Sequence, residues 1–405
     1  MRYEVNIMKY SSKIEKCGLS PMRKFSGMAD DAKKRGIRIY PLNIGQPDVK
    51  TPDIFFDTLR SFSEPVLAYA PSDGIPELLD AVREYYGRIG VKLDRKDILV
   101  ASGGSEAFQM IMACILDDGD EIIIPEPFYP NYATAVTLAG GVIRPVPTSP
   151  ENGYFYADRE NIERCINEKT RAIFITSPGN PTGNVLSRDD FKVILDIAKE
   201  HGLFLVCDEV YREFVYSDEP LLSSLQFEGY EDNVIVIDSV SKRFSACGAR
   251  IGMVISKNER FMEQALKWCQ CRLCSATVDQ LGAAALYSLP DGYFDEVKKE
   301  YNRRRDTMIR KLHEIPGVKC KTPKGAFYVM VSLPVDDADK LQQFMLTEFD
   351  DNGDTVLLAC GEPFYATPGK GRNEVRLAYT ICCEDIERAI DILKKAIEKY
   401  NSSLL

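Results

Sequence analysis

The chain lacks the two hydrophobic features that would carry it into or across a membrane. None of its apolar runs is long enough to span a bilayer. The first 24 residues mix Lys, Glu and Ser, and they lack the apolar core followed by small residues that a secretory signal needs. With 45% hydrophobic and 28% charged residues, the composition is typical of a soluble globular protein. We expect a cytoplasmic protein with no membrane partner.

Histidine is scarce, and cysteine is too sparse for a disulfide scaffold. Twelve cysteines in 405 residues lie far below disulfide-scaffold density, and several lie in apolar runs where they pack as small hydrophobes. Cys269, Cys271 and Cys274 are close in sequence, but zinc ligands usually come with a paired second half. The two histidines, His201 and His313, are distant from this cluster. The sequence therefore predicts reduced thiols and no metal site.

Positive charge is also in short supply. Lys and Arg number 51 against 61 Asp and Glu, which gives a formal net charge of −10. A nucleic-acid partner requires a concentrated basic surface to neutralise phosphates, and the basic run at 303–305 lies in a helical pattern that also carries acidic residues. We expect no nucleic-acid partner. No repeat or low-complexity tract is present, which excludes solenoids and disordered scaffolds.

Between Asp97 and Ser256 the sequence alternates short β-rich runs with helical stretches. Continuous apolar runs of this length are typical of strands buried on both faces of a mostly parallel sheet. The pattern predicts an α/β fold with a mostly parallel sheet of about seven strands in a three-layer large domain. The runs are Ile98–Val100, Glu121–Ile124, Val142–Val146, Arg171–Thr176, Leu203–Cys207, Val234–Ile237 and Ile251–Ile255.

Beyond about Leu286 the pattern changes to a long helix, three shorter β-rich runs and a final helix from Glu384 to Tyr400. This succession predicts a smaller α+β domain. We therefore expect a large domain over residues 45–285 and a small domain over residues 286–405. Residues 1–44 are expected to form an N-terminal arm that packs on the small domain or on a neighbouring subunit.

Several polar residues lie where an α/β sheet presents its functional groups, at or just beyond the carboxyl ends of strands. Lys242 and Asp208 each follow an apolar run, and Asn180 lies in the segment Ser-Pro-Gly-Asn-Pro-Thr-Gly. A lysine can form a Schiff base with pyridoxal phosphate, and that cofactor also needs a carboxylate facing its pyridine nitrogen and an anion cradle. Together with Arg376 in the small domain, these residues indicate a pyridoxal phosphate site.

The segment 102–107, Ser-Gly-Gly-Ser-Glu-Ala, supplies a candidate cradle for the phosphate. A strand ends there and a helix begins, which leaves the N–H groups of the first helical turn free to bind an anion. Gly-Gly-Ser before a helix is also an ordinary turn and cap. The presence of the lysine, the carboxylate and the asparagine in the same sequence favours the interpretation of this segment as a phosphate site.

With these motifs in this order, the chain resembles the class I/II aminotransferases of the fold type I pyridoxal phosphate enzymes, a family that is aspartate aminotransferase-like. The resemblance runs nearly end to end. The matching segments are Leu42–Asp48, Tyr69–Gly74, the Gly104 turn, Pro127–Tyr129, Asn180–Gly183, Asp208–Tyr211, Ser239–Arg250 and Arg376.

The resemblance implies how the cofactor ring is held. Lys242 would bond to the cofactor aldehyde and, once freed by substrate, move the proton between the substrate α-carbon and the cofactor. Asp208 would pair with the protonated pyridine nitrogen. Tyr211 and Asn180 would donate hydrogen bonds to the phenolic oxygen of the ring, and Tyr129 would lie flat on the ring.

For the cofactor phosphate, the resemblance implies backbone and side-chain donors around the cradle, with Arg250 adding a charge-assisted contact. One donor would come from a second subunit, which implies a homodimer with shared active sites. The implied phosphate ligands are Gly104, Ser105, Glu106, Ser239, Arg250 and, from the other subunit, Tyr69.

Arg376 would grip the substrate α-carboxylate as a two-pronged fork, helped by Asn180 and the backbone of Gly45. The implied activity moves an amino group from an L-amino acid to a 2-oxo acid in a ping-pong reaction through the Lys242 Schiff base. Glutamate or aspartate is expected as one partner.

The chain departs from the family in the residues that would read a second carboxylate. Ser105 occupies the place where one bacterial subgroup has a lysine for the distal carboxylate of the substrate. Arg272 is the remaining candidate for that role, although an arginine at a helix end is by default a solvated surface residue. Glu106 replaces the common glutamine and adds negative charge near the phosphate. We expect L-glutamate as one amino donor and leave its partner open.

Two other functions remain as alternatives. The same fold and cofactor support lyases, decarboxylases and cyclising synthases, because breaking a different bond at the α-carbon requires only another orientation of the substrate. Related families also include transcription regulators that join a DNA-reading module to an aminotransferase-like body. The chain has only about 40 residues before Leu42 and no basic helix-turn-helix pattern, which disfavours the regulator.

Overall fold

The protein is described here by a computed structural model that covers residues 8–216, 221–290 and 292–404. The strands within these ranges are β1 (Arg38–Pro41), β2 (Ile98–Ala101), β3 (Glu121–Pro125), β4 (Val142–Val146), β5 (Thr170–Thr176), β6 (Phe204–Asp208), β7 (Val234–Ser239), β8 (Gly252–Ile255), β9 (Tyr328–Ser332), β10 (Asp354–Leu357), β11 (Ala359–Cys360) and β12 (Glu374–Ala378). The helices are α1 (Ser12–Glu15), α2 (Ser26–Lys34), α3 (Asp53–Ser61), α4 (Pro76–Arg88), α5 (Gly104–Ile115), α6 (Asn131–Ala139), α7 (Arg159–Glu163), α8 (Arg188–Glu200), α9 (Val240–Arg243), α10 (Glu259–Arg272), α11 (Thr277–Leu286), α12 (Gly292–Leu312), α13 (Ala338–Thr347) and α14 (Cys383–Ser403).

Seven of these strands form the central sheet, in the order β2-β8-β7-β6-β5-β3-β4. All neighbours pair in parallel except β8, which is antiparallel to both β2 and β7. Every residue of β2, β7 and β8 is buried, as expected for strands covered on both faces. Each of the seven apolar runs coincides with one of these strands, so the predicted mostly parallel sheet is confirmed.

Alternate residues of each strand face opposite sides of the sheet and create two apolar layers. Phe174, Val206 and Ile235 pack on one side with the buried residues of α5 and α6. Ile173 and Leu205 pack on the other side with the buried residues of α4 and α8. Because side chains alternate with a period of two along a strand, a fully apolar run buries both faces and requires helices on each. The result is a three-layer α/β arrangement.

The C-terminal part of the chain contains a second, smaller sheet. In it β12 lies between β11 and β9, antiparallel to both. The N-terminal segment joins this part, because β1 pairs in parallel with β10 and α2 packs against α13. Of the two positions open to the N-terminal arm, the structure therefore shows packing on the C-terminal part of the same chain. The boundaries at 44/45 and 285/286 stay predictions.

The cysteines lie mostly in packed positions. All twelve are free, and the Cys269 sulfur packs 3.7 Å from the Met110 sulfur while Cys271 is exposed. In the described ranges, no three His, Cys, Asp or Glu side chains are grouped to hold a metal ion. Over the same ranges, no helix has the length and apolarity that crossing a bilayer requires.

Gly252 at the start of β8 lets the sheet approach the loop after β2. A Cβ at this position would lie 2.5 Å from the Gly103 carbonyl carbon and 2.8 Å from the Gly104 nitrogen, both backbone atoms. We therefore expect Gly252→Ala to lower the free energy of unfolding by roughly 1–3 kcal/mol, because the loop must move away. Urea denaturation measures this loss.

Gly248→Ala is the matched control, since nothing lies within 4 Å of a Cβ built there. It is expected to change the free energy of unfolding by less than about 1 kcal/mol. Equal losses in the two variants would contradict the close-approach explanation.

Candidate active site

The strand ends bring the sequence-predicted residues to one edge of the central sheet. Thr176 at the end of β5 pairs with Asp208 at the end of β6, and Asp208 pairs with Ile237 of β7. Gly252 of β8 pairs with Ser239 on one side and with Ala101 of β2 on the other. The loop after β2 therefore opens at the same edge as Asp208 and the residues that follow Ser239.

Lys242 stands on α9, a single helical turn directly after β7. The Ser239 side chain caps this turn by accepting a hydrogen bond from the Ser241 N–H at 3.0 Å. The Lys242 amine is half-buried and donates to the carbonyl oxygen of Gly45 at 2.9 Å. The cap thus fixes the direction of the lysine, and Gly45 contacts its amine.

Tyr328 connects the lysine to the other polar groups of the site. Its hydroxyl lies 2.9 Å from the Tyr211 hydroxyl and donates to the Gly45 carbonyl at 3.4 Å. Gly45 must remain a glycine here, because a Cβ would fall 1.7 Å from the Tyr328 hydroxyl oxygen. The ring of Tyr328 also lies against the Arg376 guanidinium, 4.5 Å from centroid to carbon.

Arg376 on β12 is held from several directions and is only 2% exposed. Its Nη1 donates to the Asn180 side-chain oxygen at 3.0 Å, and its Nη2 donates to the Asn43 carbonyl at 2.6 Å. The Met22 sulfur lies 3.5 Å from Nη2, so the N-terminal segment covers this arginine. Its Nε has no hydrogen-bond partner among the described residues. The structure thus brings Arg376, Asn180, Gly45 and, through Tyr328, Lys242 and Tyr211 together.

Asp208 is a buried carboxylate whose hydrogen-bond donors are neutral. It accepts from the Tyr132 hydroxyl at 2.7 Å and from the Val210 N–H at 3.2 Å. Burial raises its pKa to about 6, and the two hydrogen bonds oppose that rise only in part. Tyr132 in turn meets Tyr129 edge to face, with ring centroids 5.6 Å apart. No ion pair in the described part of the chain includes Asp208.

Arg250 faces the loop that precedes α5. It adopts a left-handed backbone conformation at φ 54° and is exposed, and its Nη2 donates to the Ser102 carbonyl at 3.0 Å. A Cβ on Gly103 would lie 2.2 Å from that Nη2, so only glycine lets the guanidinium come so close. The exposed Ser105 and the free N–H groups at the start of α5 add further hydrogen-bond donors beside Arg250.

Two sequence-predicted residues do not extend into the site of their own chain. Tyr69 is 79% exposed and follows the exposed Val66 and Leu67, so it does not enter the site of its own chain. Arg272, the candidate for a distal carboxylate, pairs with Glu106 at 2.8 Å. Its guanidinium is therefore already engaged inside the protein, which does not favour a substrate contact.

Sequence reasoning missed three residues that shape the site. Tyr132 lies in the first turn of α6, three residues after Tyr129, and this short spacing was a signal that could have identified it. Tyr328 lies in an apolar run that predicted only a strand, and Met22 lies in the N-terminal arm without any motif. The contacts of Tyr328 and Met22 come from chain segments far apart in sequence, so no local pattern marks them.

Comparison with known proteins identifies the family. Residues 38–400 match the family model "Aminotransferase class I and II". The chain belongs to this family. The aminotransferase is 32% identical to a "Probable aspartate/prephenate aminotransferase" of Aquifex aeolicus, over 96% of this chain and 98% of that protein. It is 31% identical to "Aromatic-amino-acid aminotransferase 2" of Thermococcus litoralis, over 97% of this chain and 99% of that protein.

The fold of this aminotransferase matches solved structures over the same length. Thermus thermophilus aspartate aminotransferase with maleate superposes with a TM-score of 0.87 at 26% identity, covering 96% of this chain and 100% of that chain. The resemblance drawn from the sequence motifs, the fold class and the enzyme class are therefore confirmed.

The raised pKa of Asp208 makes the stability of the cofactor-free aminotransferase depend on pH. The folded state keeps the Asp208 proton up to about pH 6, whereas an aspartate in the unfolded chain loses it near 3.8, so ionisation costs the folded state stability as pH rises. Asp208→Asn removes that cost. We expect the free energy of unfolding of the variant, relative to that of wild type, to be higher at pH 7.5 than at pH 5 by on the order of 1 kcal/mol. Urea denaturation of cofactor-free protein at both pH values measures it.

Asp232→Asn is the control, because it makes the same change at an exposed carboxylate. The difference between this control and wild type should be the same at both pH values. A constant difference for Asp208→Asn as well would show that burial does not raise the pKa of this carboxyl.

Proposed function

We propose that this aminotransferase transfers the amino group of an L-amino acid to a 2-oxo acid, with L-glutamate or L-aspartate as one partner, using pyridoxal phosphate bound at Lys242. The observation that carries the proposal is the buried carboxylate of Asp208. It lies at the same sheet edge as Lys242 and has no cationic partner among the described residues. Family membership adds independent support, since the family uses this cofactor.

The residues at this edge fit pyridoxal phosphate in their chemistry. A buried carboxylate costs free energy unless a positive charge or donor compensates it, and a protonated pyridine nitrogen would be both. Arg250, the free N–H groups of α5 and the absence of a Cβ at Gly103 fit a phosphate group. Lys242 supplies the primary amine that the cofactor aldehyde requires. The residues at this edge therefore match the pyridine nitrogen, the phosphate and the aldehyde of the cofactor.

When bound, pyridoxal phosphate supplies an electron sink for the pair left at the substrate α-carbon. The Lys242 amine would act as general base and take the proton from that carbon. As general acid it would then deliver the proton to the cofactor. The Gly45 carbonyl orients the amine. Asp208 would keep the ring nitrogen protonated, and Tyr211 and Asn180 would donate hydrogen bonds to the phenolic oxygen.

We assign the substrate α-carboxylate to Arg376. The ring of Tyr328 and the Asn180 oxygen hold its guanidinium in one orientation, so little side-chain freedom remains to be lost on binding. Burial strengthens the charge-assisted hydrogen bonds that a carboxylate would make there. Gly45 contributes backbone at the same place. Tyr129 is assigned to the face of the cofactor ring, where its edge-to-face contact with Tyr132 fixes it.

We propose the substrates from the names of the related proteins. Their names include aspartate, prephenate and aromatic amino acids, and the Thermus protein carries maleate, a dicarboxylate. These names favour group transfer over the lyase, decarboxylase and synthase alternatives. They also favour a dicarboxylic amino acid as one partner, with L-glutamate as the first donor to test.

We further propose a symmetric homodimer with shared sites. Val66, Leu67 and Tyr69 are 70%, 64% and 79% exposed, which is unusual for three large apolar or aromatic side chains so close in sequence. A second copy that covers this stretch would bury it and bring Tyr69 to the phosphate of the neighbouring site. The twelve free cysteines support residence in a reducing compartment, the cytoplasm.

The first test is a single half-reaction. Purified protein with pyridoxal phosphate is mixed with L-glutamate or L-aspartate and no 2-oxo acid is added. We expect about one equivalent of 2-oxoglutarate or oxaloacetate per site, with loss of the visible absorbance of the loaded enzyme, because the amino group stays on the cofactor until an acceptor arrives. Adding a 2-oxo acid should then release a new amino acid.

Lys242→Ala should abolish the half-reaction and the visible absorbance while leaving a folded protein, and the exposed Lys92→Ala should retain both. Free ammonia in place of retained nitrogen would instead support a lyase. No product from any amino acid tried would refute the proposed function.

The dimer is tested by Leu67→Asp, which places a charge in the exposed apolar stretch. Burying an unpaired carboxylate at an interface is costly, so the variant should sediment as a monomer and hold pyridoxal phosphate at least about tenfold more weakly. Leu404→Asp adds the same charge at another exposed leucine and should remain dimeric. An active monomeric wild type would contradict the shared site.

A further inference from the structure

Glu106 is a negative charge placed where an anion is expected to bind. It is the third residue of α5, and its carboxylate accepts a hydrogen bond from the Ser102 N–H, within the loop that Arg250 also contacts. The start of a helix attracts a carboxylate and a phosphate for the same reason, the free N–H groups and the positive end of the helix dipole. An isolated Glu106 would therefore compete with the phosphate for these donors and repel it.

Arg272 meets this carboxylate from the far end of α10. Its Nη1 lies 2.8 Å from the same Glu106 oxygen that contacts Ser102, and both side chains are 17% exposed. Partial burial reduces solvent screening, so the charges of the pair act on one another more strongly than in an exposed ion pair. The pair is neutral as a whole.

Three further contacts fix the guanidinium. Nη1 also donates to the Ser275 hydroxyl at 2.9 Å, and Nη2 donates to the carbonyls of Val100 at 3.1 Å and Ser72 at 3.2 Å. Val100 belongs to the strand that leads into the loop before α5, and Ser72 follows the exposed Tyr69 stretch. Arg272 is thus held beside the candidate phosphate site without extending into it.

We infer that Arg272 is a positioning residue for the phosphate site, where it neutralises Glu106 and holds that carboxylate away from the incoming phosphate. Retention of pyridoxal phosphate then depends on the balance of the two charges and not on either side chain alone. The inference rests on the proposed function, since it needs pyridoxal phosphate as the ligand. It gives Arg272 a role in cofactor binding in place of a substrate contact.

The test is a double-variant cycle read out as the dissociation constant of pyridoxal phosphate. Binding to cofactor-free protein is followed by equilibrium dialysis and by the fluorescence of Trp268, the one tryptophan of the chain, which lies one turn before Arg272 on α10. Arg272→Gln leaves Glu106 unpaired and should weaken binding about tenfold or more. Glu106→Gln keeps an acceptor for Ser102 without the charge and should bind at least as tightly as wild type.

The combined Arg272→Gln, Glu106→Gln variant decides between charge balance and simple packing. Charge balance predicts that it binds within about threefold of Glu106→Gln, because no unpaired carboxylate remains. If the pair only ties α10 to α5, the combined variant will bind as weakly as Arg272→Gln, and the inference is wrong. Wild-type affinity in Arg272→Gln would overturn it as well.

Two controls separate this result from misfolding and from failure of the proposed function. Arg260→Gln removes an exposed arginine from the same helix and should leave the dissociation constant unchanged. Arg272→Lys keeps the charge with fewer donors, so it should bind within about threefold of wild type even if Arg272→Gln is unstable. A tenfold loss in the lysine variant would contradict the charge explanation. Wild-type protein that binds no pyridoxal phosphate would refute the proposed function itself.

Discussion

A buried ion pair between Asp238 and Arg243 holds the corner on which Lys242 stands. The two side chains are 2.9 Å apart and almost fully buried, and the same Asp238 oxygen accepts from the Ser239 N–H at 2.7 Å. Tyr86 donates to the other oxygen at 2.9 Å. Such a pair adds little net stability, because desolvating both charges offsets their attraction. What it provides is a single geometry for the step from β7 into α9, and breaking one partner would leave a buried charge unpaired.

The carboxylate of Asp208 illustrates the opposite use of burial. Asp238 has a cationic partner, whereas Asp208 has only a tyrosine hydroxyl and a backbone N–H. Burial of Asp208 without a cationic partner is unfavourable for its charged form, and the raised pKa of Asp208 reflects this. A binding site that stores such a cost favours a ligand that brings the missing positive charge. The contrast between neighbouring strand ends is the reason for proposing a cofactor-binding role for Asp208 and a structural one for Asp238.

The site is assembled from three parts of the chain that are distant in sequence. The sheet edge supplies Lys242 and Asp208, the C-terminal part supplies Arg376 and Tyr328, and the segment that follows β1 supplies Gly45. The Gly45 carbonyl contacts both other parts, because it accepts from Lys242 and from Tyr328. Relative movement of the C-terminal part against the sheet would therefore change the contacts of the lysine and the arginine together.

The amino-acid sequence alone was enough to predict the seven strands and the polar residues at their ends, although the edge strand β4 is partly exposed and not buried on both faces as its run predicted. These features are local, because a continuous apolar run and the residue that ends it can be recognised within a few positions. It also marked Glu106 as a departure but could not show what balances it. The tertiary structure decided that Arg272 pairs with Glu106 across 166 residues and that Tyr328 meets Gly45 across 283. Contacts over such separations depend on how the finished layers pack, and no local spacing encodes them.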